Sequence, residues 1–432
     1  MSLPSQNDVK IAVIGLGYVG LPLSRALSMH YPLVGLDIDA ARVNELQQGI
    51  DRTGEMSSAR LRDAATHYSD DAEDLGSCNV FIITVPTPVD DNNQPDLTAV
   101  KAACRTLAPA LGVGNVVVLE STVFPGVTED VCGPELAAGS GLTPGNDFFL
   151  GFSPERINPG DKEHTVSKIT KVVAGQTPAV TDFLAQIYGA MTEGNVFKAK
   201  NIRTAEAAKV IENAQRDINI AFANEVAMIF NHMGLNSADV FAAANTKWNF
   251  IDFKPGLVGG HCIGVDPYYL AHAAREMGHE PEVILAGRRI NDGMATFAAN
   301  RISRELERLT GGNTPRRVLV LGLTFKENVP DLRNSKAADL IAALEELGHT
   351  VDVHDEMADP ARASREYGID LLNELPGHED YDCVVGAVSH AGYCAFDDER
   401  LAGLLRPGGV VADIKGIWRH IDLGKDYRRW EL

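Results

Sequence analysis

Ile11-Ala12-Val13-Ile14-Gly15-Leu16-Gly17-Tyr18-Val19-Gly20 is the stretch that decides the fold of this 432-residue chain. A short β-branched run from Val9 to Ile14 stops at glycines spaced G-x-G-x-x-G, and Leu21 to Met29 then reads as a helix. Each glycine has its own reason to be there. Gly15 allows the tight turn, Gly17 lets a pyrophosphate approach the backbone, and Gly20 lets the helix pack on the strand, with the helix N-terminus facing the phosphates. Leu33 to Leu36 is the next strand, and Asp37 at its end would accept from both ribose hydroxyls and repel a 2′-phosphate. The pattern predicts NAD rather than NADP, bound along Gly15, Gly17, Tyr18, Val19, Gly20 and Asp37; the competing reading is a glycine turn without a ligand.

Working outward, Asn79 to Val85, Val116 to Leu119 and Phe148 to Phe152 are nearly continuous apolar runs, as expected of parallel strands covered on both faces. They end at Pro86-Thr87-Pro88, at Glu120-Ser121-Thr122 and at Ser153-Pro154-Glu155-Arg156-Ile157-Asn158-Pro159-Gly160. Ligands of open α/β sheets lie beyond the carboxyl ends of strands, so Thr87, Ser121 and Thr122 point toward the dinucleotide crevice; helix capping is the other explanation for them. Glu155 beside Arg156 is an acid and a base on one loop, which a solvated turn explains almost as well.

From Thr204 to Met233 the pattern becomes one long helix, with Ala205, Ala208, Ile211, Ile218, Phe222 and Val226 at helical spacing. Lys209 and Asn213, four apart, share a face and either line a site or meet a partner helix. A long helix between two α/β units also suits a dimer interface. After a linker-like break at Gly311-Gly312-Asn313-Thr314-Pro315, Arg317 to Lys326 opens a second α/β unit, with a helix over Ala337 to Leu347 and strands at Thr350 to His354, Cys383 to Val388 and Val410 to Ile414. This unit lacks G-x-G-x-x-G, so no second dinucleotide is expected. Lys326, Arg333 and Lys415 lie just past strand ends, where cations meet phosphate or are simply surface charges. The expected architecture is α/β: two Rossmann-like doubly wound parallel-sheet domains joined by a long central helix and a helical dimerisation domain. Its boundaries fall at 1–200, 201–305 and 306–432.

Between these units lies Gly259-Gly260-His261-Cys262-Ile263-Gly264-Val265-Asp266-Pro267. Glycines pack poorly and lose the most entropy on ordering, so a cluster of them means close approach or a sharp turn. A thiol there is either reachable or one more buried small hydrophobe. Asp266 would hold a base or a water.

With 39 Lys and Arg against 59 Asp and Glu, the formal charge is -20, which argues against nucleic acid or an anionic membrane surface as a partner. Any anionic ligand then needs locally placed cations. The six cysteines have no paired CxxC spacing, so a reducing cytoplasm is the simplest compartment and no metal site is implied. The polar N-terminus and the lack of a long apolar run predict neither a signal sequence nor a membrane span.

Taken together, Gly15 to Pro22, Val85-Pro86-Thr87-Pro88, Glu120-Ser121-Thr122-Val123, Ser153-Pro154-Glu155, Lys209 with Asn213, Gly259-Gly260-His261-Cys262 with Asp266, and Gly322-Leu323-Thr324-Phe325-Lys326 resemble the UDP-glucose, UDP-N-acetylhexosamine and GDP-mannose dehydrogenase family over nearly the whole length. The Ser153-to-Gly160 and His261-to-Pro267 segments are most similar to its UDP-N-acetylhexosamine branch. The resemblance implies a homodimer or higher homo-oligomer that uses two NAD to oxidise a carbon-six alcohol to a carboxylate, for bacterial polysaccharide precursors. It implies Cys262 as nucleophile, Asp266 and Thr122 as the base and its water holder, Lys209 and Asn213 as oxyanion donors, and Glu155 as the base of a final hydrolysis. Arg42 and Thr87 join the cofactor residues. Glu155, Arg156, Lys209, Asn213, Gly259, Lys326 and Arg333 become the substrate residues, with Arg156 placed to bond an N-acetyl group. Where the UDP-glucose branch brings an arginine from a neighbouring subunit, this sequence has Lys247 and Lys254. The rival readings are a two-electron hydroxyacid dehydrogenase, which has no use for Cys262 or a third domain, a non-catalytic nucleotide-sugar sensor, and a zinc site at His261-Cys262.

Overall fold

The computed structural model describes residues 2–63, 65–156, 163, 166–260, 262–310, 315–377 and 381–432. Ile157 to Gly160, His261 and the break at Gly311 to Thr314 lie outside the described residues. The chain divides into two units, Met1–Asn213 with Tyr268–Glu280, and Ala214–Pro267 with Pro281–Leu432.

The first unit is built on β1 (Ile11–Ile14), β2 (Leu33–Leu36), β3 (Thr66–Ser69), β4 (Val80–Ile83), β5 (Val116–Leu119), β6 (Phe149–Phe152), β7 (Lys171–Gly175) and β8 (Val196–Lys198), in the spatial order β3-β2-β1-β4-β5-β6-β7-β8. The apolar runs follow from burial on both faces. Ala12, Ile14, Phe81, Ile83, Val117 and Leu119 belong to one core, and their neighbours Ile11, Val13, Val80, Ile82, Val116 and Val118 to another. Strand order reverses between β1 and β4, so the crevice opens beyond Ile14 and Ile83, where the glycine turn begins. β1 to β6 pair in parallel, but β7 runs antiparallel to β6 through Gly151 with Gly175 and Phe152 with Ala174. That reversal carries Lys171, the first residue of β7, to the edge where β5 and β6 end.

The second unit holds an all-parallel sheet of β9 (Arg317–Leu321), β10 (Thr350–His354), β11 (Tyr381–Gly386), β12 (Leu405–Asp413) and β13 (Arg428–Glu431), ordered β10-β9-β11-β12-β13. Val318, Val320, Val385 and Val410 face one core, and Leu319, Leu321, Val384 and Val411 the other.

Both units use one device at the first crossover. Gly15, at φ +94°, donates its N–H to Leu36 O, and Leu16 N–H donates to Asp37 Oδ2 at 2.7 Å. Gly322, at φ +101°, donates to His354 O, and Leu323 N–H donates to Asp355 Oδ2 at 2.6 Å. The two acids then diverge. Asp37 stays half-exposed, whereas Asp355 is buried and also accepts from Thr324, Met357 and Ala358 N–H, with His390 Nε2 at 3.0 Å. Burial works against its ionisation, yet His390 and these N–H groups hold its carboxyl well below the ordinary range. With its lone pairs so occupied, Asp355 closes off the position where a ribose would sit.

The helix Ile202–Met233 spans the expected stretch, but its faces are not those an apolar stripe predicts. Ile211 and Phe222 are exposed, at 53% and 59%, and the buried face instead carries Glu206, Lys209, Asn213, Asp217 and Asn224. Buried polar groups on a helix persist only when bonded. Glu206, for example, accepts Gly126 N–H at 2.6 Å and Thr128 N–H at 2.9 Å.

Candidate active site

At the glycine turn the three positions differ as their chemistry requires. A Cβ on Gly20 would sit 1.8 Å from Gly15 O and 2.4 Å from Thr84 Oγ1, whereas nothing lies within 4 Å of a Cβ on Gly17. Gly20 is therefore a packing requirement, and Gly17 opens onto free space. Gly17→Ala is expected to leave the ligand-free melting temperature within about 2 °C of wild type while weakening NAD binding at least about tenfold. Gly20→Ala is expected to lose about 3 kcal/mol. Thermal denaturation with and without NAD checks both.

Arg42 is buried and lies behind this turn, with Nε donating to Leu16 O at 3.0 Å and Nη2 paired with the buried Asp51 at 2.8 Å. Its Nη1 is buried without a hydrogen-bond partner. An orphaned guanidinium nitrogen, an open Gly17 and a half-exposed Asp37 fit an adenine dinucleotide. Tyr18, Val19 and Thr122 are half-buried beside the turn and at the end of β5, while Thr87 is buried. Ser121 is spent on the fold, its hydroxyl donating to Val85 O at 2.6 Å. NAD is expected to outperform NADP by at least about a hundredfold in kcat/KM, the cost of setting a phosphate against Asp37. Asp37→Ser should narrow that ratio at least tenfold, whatever it does to overall activity.

Glu155 is buried and faces Lys171 and, behind it, Glu120 with Tyr188; no sequence motif announces the lysine or the tyrosine. Lys171 Nζ lies 2.6 Å from Glu120 Oε2 and 3.4 Å from Glu155 Oε2, and Tyr188 donates to the other oxygen of Glu120. Arg156 is engaged elsewhere. Its guanidinium pairs with Glu212 at 2.9 Å and donates to Thr170 O at 3.1 Å. A partner 56 residues away is not readable from the loop itself.

Lys209 and Asn213 lie one turn apart on the buried face of their helix, at 7% and 5% exposure, in the first unit. Cys262 belongs to the second unit and is exposed, unlike Cys78, Cys104, Cys132 and Cys383. It is not a core thiol. Its carbonyl accepts from Asp266 N–H at 2.9 Å, so it stands one turn before the helix Asp266–Glu276. Asp266 is buried as the first residue of that helix.

The glycines around Cys262 now have a physical cause. A Cβ on Gly259 would lie 2.6 Å from Asn334 O, one on Gly260 2.7 Å from the Phe325 ring, and one on Gly264 2.7 Å from Asn334 Nδ2. Gly260 N–H donates to Asn334 O, and Asn334 Nδ2 donates back to Gly260 O at 3.1 Å. The thiol loop thus lies flat on the Phe325-to-Asn334 segment.

That segment also walls a pocket lined by Gly259, Phe325, Lys326, Lys336 and Lys415. Lys336 is not readable from the sequence because it opens a helix, where a first-turn lysine looks like surface. Lys415 is an exposed residue of this lining, with protein packed around its ammonium. This loss of water holds its ammonium below the usual lysine range, with Glu327 opposing. Lys336 is shared with Asp339 at 2.7 Å and Asp292 at 3.5 Å, so Lys326 and Lys415, with Lys336 beside them, are the ammonium groups that suit a diphosphate here. Arg333 is bound to Asp331 at 2.7 Å and is not in this lining. Among the described residues no cluster of His, Cys, Asp or Glu could hold a metal, and no helix is long and apolar enough to cross a membrane.

The chain matches three models of the UDP-glucose/GDP-mannose dehydrogenase family: the NAD binding domain over residues 9–192, the central domain over 203–293 and the UDP binding domain over 319–420. It is 48% identical to a UDP-N-acetyl-D-glucosamine 6-dehydrogenase of Pseudomonas aeruginosa, over 95% of this chain and 97% of that protein. It is 48% identical to protein CapL of Staphylococcus aureus, over 98% and 99% of the two chains. Among solved structures, a UDP-D-ManNAc dehydrogenase from Pyrococcus horikoshii superposes with a TM-score of 0.87 at 29% identity, covering 98% of this chain and 99% of that one.

Proposed function

The chain belongs to the UDP-glucose/GDP-mannose dehydrogenase family of NAD-dependent nucleotide-sugar dehydrogenases, and from that premise we propose that it oxidises carbon six of UDP-N-acetylglucosamine to the carboxylate through a thioester on Cys262. The observation that carries the covalent route is the exposed Cys262 thiol, set in a glycine loop at the positive end of a helix. The sugar follows from the relatives of Pseudomonas aeruginosa and Salmonella typhi, at 48% and 43% identity.

NAD, held along Gly15, Gly17, Asp37 and Arg42, would supply the hydride acceptor for each of the two oxidation stages. Asp266, through a water held with Thr122, accepts the proton of the alcohol. Cys262 as thiolate adds to the resulting aldehyde, giving a thiohemiacetal that becomes a thioester at the second stage. Lys209 and Asn213 donate to the oxygen that carries negative charge, each worth about 3 kcal/mol in such a role. Glu155 takes a proton from water for hydrolysis, which frees the carboxylate and the thiol. Lys326, Lys336 and Lys415 hold the diphosphate.

We assign NAD binding to residues 1–200, the thiol and the dimer contact to 201–305, and UDP-sugar binding to 306–432. Ile211, Phe222, Ile229 and Met233, exposed on one face of the long helix, support a homo-oligomer. Six cysteines without a disulfide suit a cytoplasmic enzyme, and bacterial surface polysaccharide precursors are the fitting product class.

The test is NADH formed per mole of sugar at completion, with UDP-N-acetylglucosamine, its galacto and manno epimers and UDP-glucose side by side. Two NADH, fastest with the gluco N-acetyl sugar, is the expected result. One NADH would remove the covalent role of Cys262, and a faster epimer would replace the sugar.

A further inference from the structure

Lys171 has no exposed side-chain surface and faces two acids, Glu120 at 2.6 Å with none exposed and Glu155 at 3.4 Å with 9% exposed. Its ammonium also donates to Pro154 O at 3.3 Å, and the buried Tyr188 hydroxyl donates to Glu120 Oε1. Arg156 also stands beside Glu155; its own N–H donates to Glu155 Oε1, but its guanidinium is paired with Glu212. Within this trio, one buried cation against two buried acids leaves a net negative charge. Stability alone is a poor reason for it, because apolar replacements of buried ion pairs are often neutral or better. Position is a better reason: Lys171 stands at the site edge only because β7 runs against β6.

We propose that Lys171, backed by Glu120 and Tyr188, is a positioning residue that holds the Glu155 carboxylate in place for the hydrolysis step. This rests on the reading of Glu155 as the base for the Cys262 thioester. In that step the water oxygen forms a bond to the acyl carbon and its O–H bond breaks, with the proton passing to Glu155. The C–S bond then breaks with its electron pair returning to sulfur, and nothing is oxidised or reduced. The close Lys171–Glu120 pair, at 2.6 Å, anchors the ammonium that faces Glu155.

The test uses the full-length enzyme with UDP-N-acetylglucosamine and NAD, following rapid NADH formation and the intact mass of the protein. Glu155→Gln is the reference and is expected to give two NADH per subunit, then a stalled adduct on Cys262. The double variant Glu120→Gln/Lys171→Met leaves neither charge of that pair behind. It is expected to show the same burst, a visible adduct and hydrolysis slowed at least about tenfold, with kcat/KM for the sugar unchanged. A folded double variant that hydrolyses at the wild-type rate without adduct would overturn the proposal. Should it fail to fold, Tyr188→Phe carries the same test, with about threefold slowing expected and no slowing overturning it. If Glu155→Gln gives neither burst nor adduct, the hydrolysis reading itself falls and takes this role of Lys171 with it.

Discussion

Cys262→Ser is expected to cut carboxylate formation by at least about a thousandfold while leaving the fold and NAD affinity intact. The substitution changes one atom on an exposed side chain that fills no core, so melting temperature should not move. NAD affinity should not move either, since the glycine turn, Asp37 and Arg42 sit in the other unit. The chemistry should change sharply. Sulfur adds to an aldehyde and leaves again far more readily than a serine oxygen, whose hydroxyl stays protonated without a dedicated base. The first oxidation needs no nucleophile, so the variant should release at most one NADH per sugar and form no covalent adduct. Completion assays and intact-mass measurement decide it, and two NADH at wild-type rate would end the thioester scheme.

The parts legible in the sequence are those governed by local rules. Strands buried on both faces advertise themselves, as Val80–Ile83 and Val116–Leu119 do, and so does a turn whose glycines have separate steric reasons. Edge strands do not. Thr66-His67-Tyr68-Ser69 and Arg428-Arg429-Trp430-Glu431 carry no apolar run because one side of each is open to water. Strand direction is equally silent: Lys171-Val172-Val173-Ala174-Gly175 would read the same parallel or antiparallel, yet its direction decides where Lys171 stands. Helical period names a face without naming what covers it: Ile211 and Phe222 keep the spacing yet lie exposed, while polar residues fill the buried face. Arg156 followed the same limit, since its character depends on Glu212, a residue of another element. The glycines beside Cys262 signalled a close approach correctly. Only the structure identifies Phe325 and Asn334 as what they approach.

Arg288→Met is expected to cost about 3–5 kcal/mol, because it leaves an uncompensated charge buried, an effect larger than any change in packing. Arg288 Nη1 lies 2.6 Å from Asp217, with both side chains buried, and Asn291 donates to the same carboxylate oxygen at 2.7 Å. Burial already pushes the Asp217 carboxyl above its ordinary range, and the Arg288 charge is what opposes that push. Without it the folded-state pKa rises further above the unfolded value. A raised carboxyl pKa penalises the folded state at pH values above the unfolded pKa, and the penalty fades as pH falls and both states become protonated. The stability gap between variant and wild type should therefore be widest near neutrality and narrow toward pH 4, as urea unfolding at several pH values would reveal. Adding Asp217→Asn should recover most of the loss, whereas a gap independent of pH and unrelieved by Asn would mean that packing, not charge, is at stake. The same network reaches the thiol loop. Asn291 accepts from Asn224, which donates to Gly256 O at 3.1 Å and accepts Gly256 N–H at 2.7 Å, six residues before Cys262. Turnover in the single variant should accordingly fall at temperatures where the protein is still folded, because the segment that presents the thiol is anchored through the pair that has been broken.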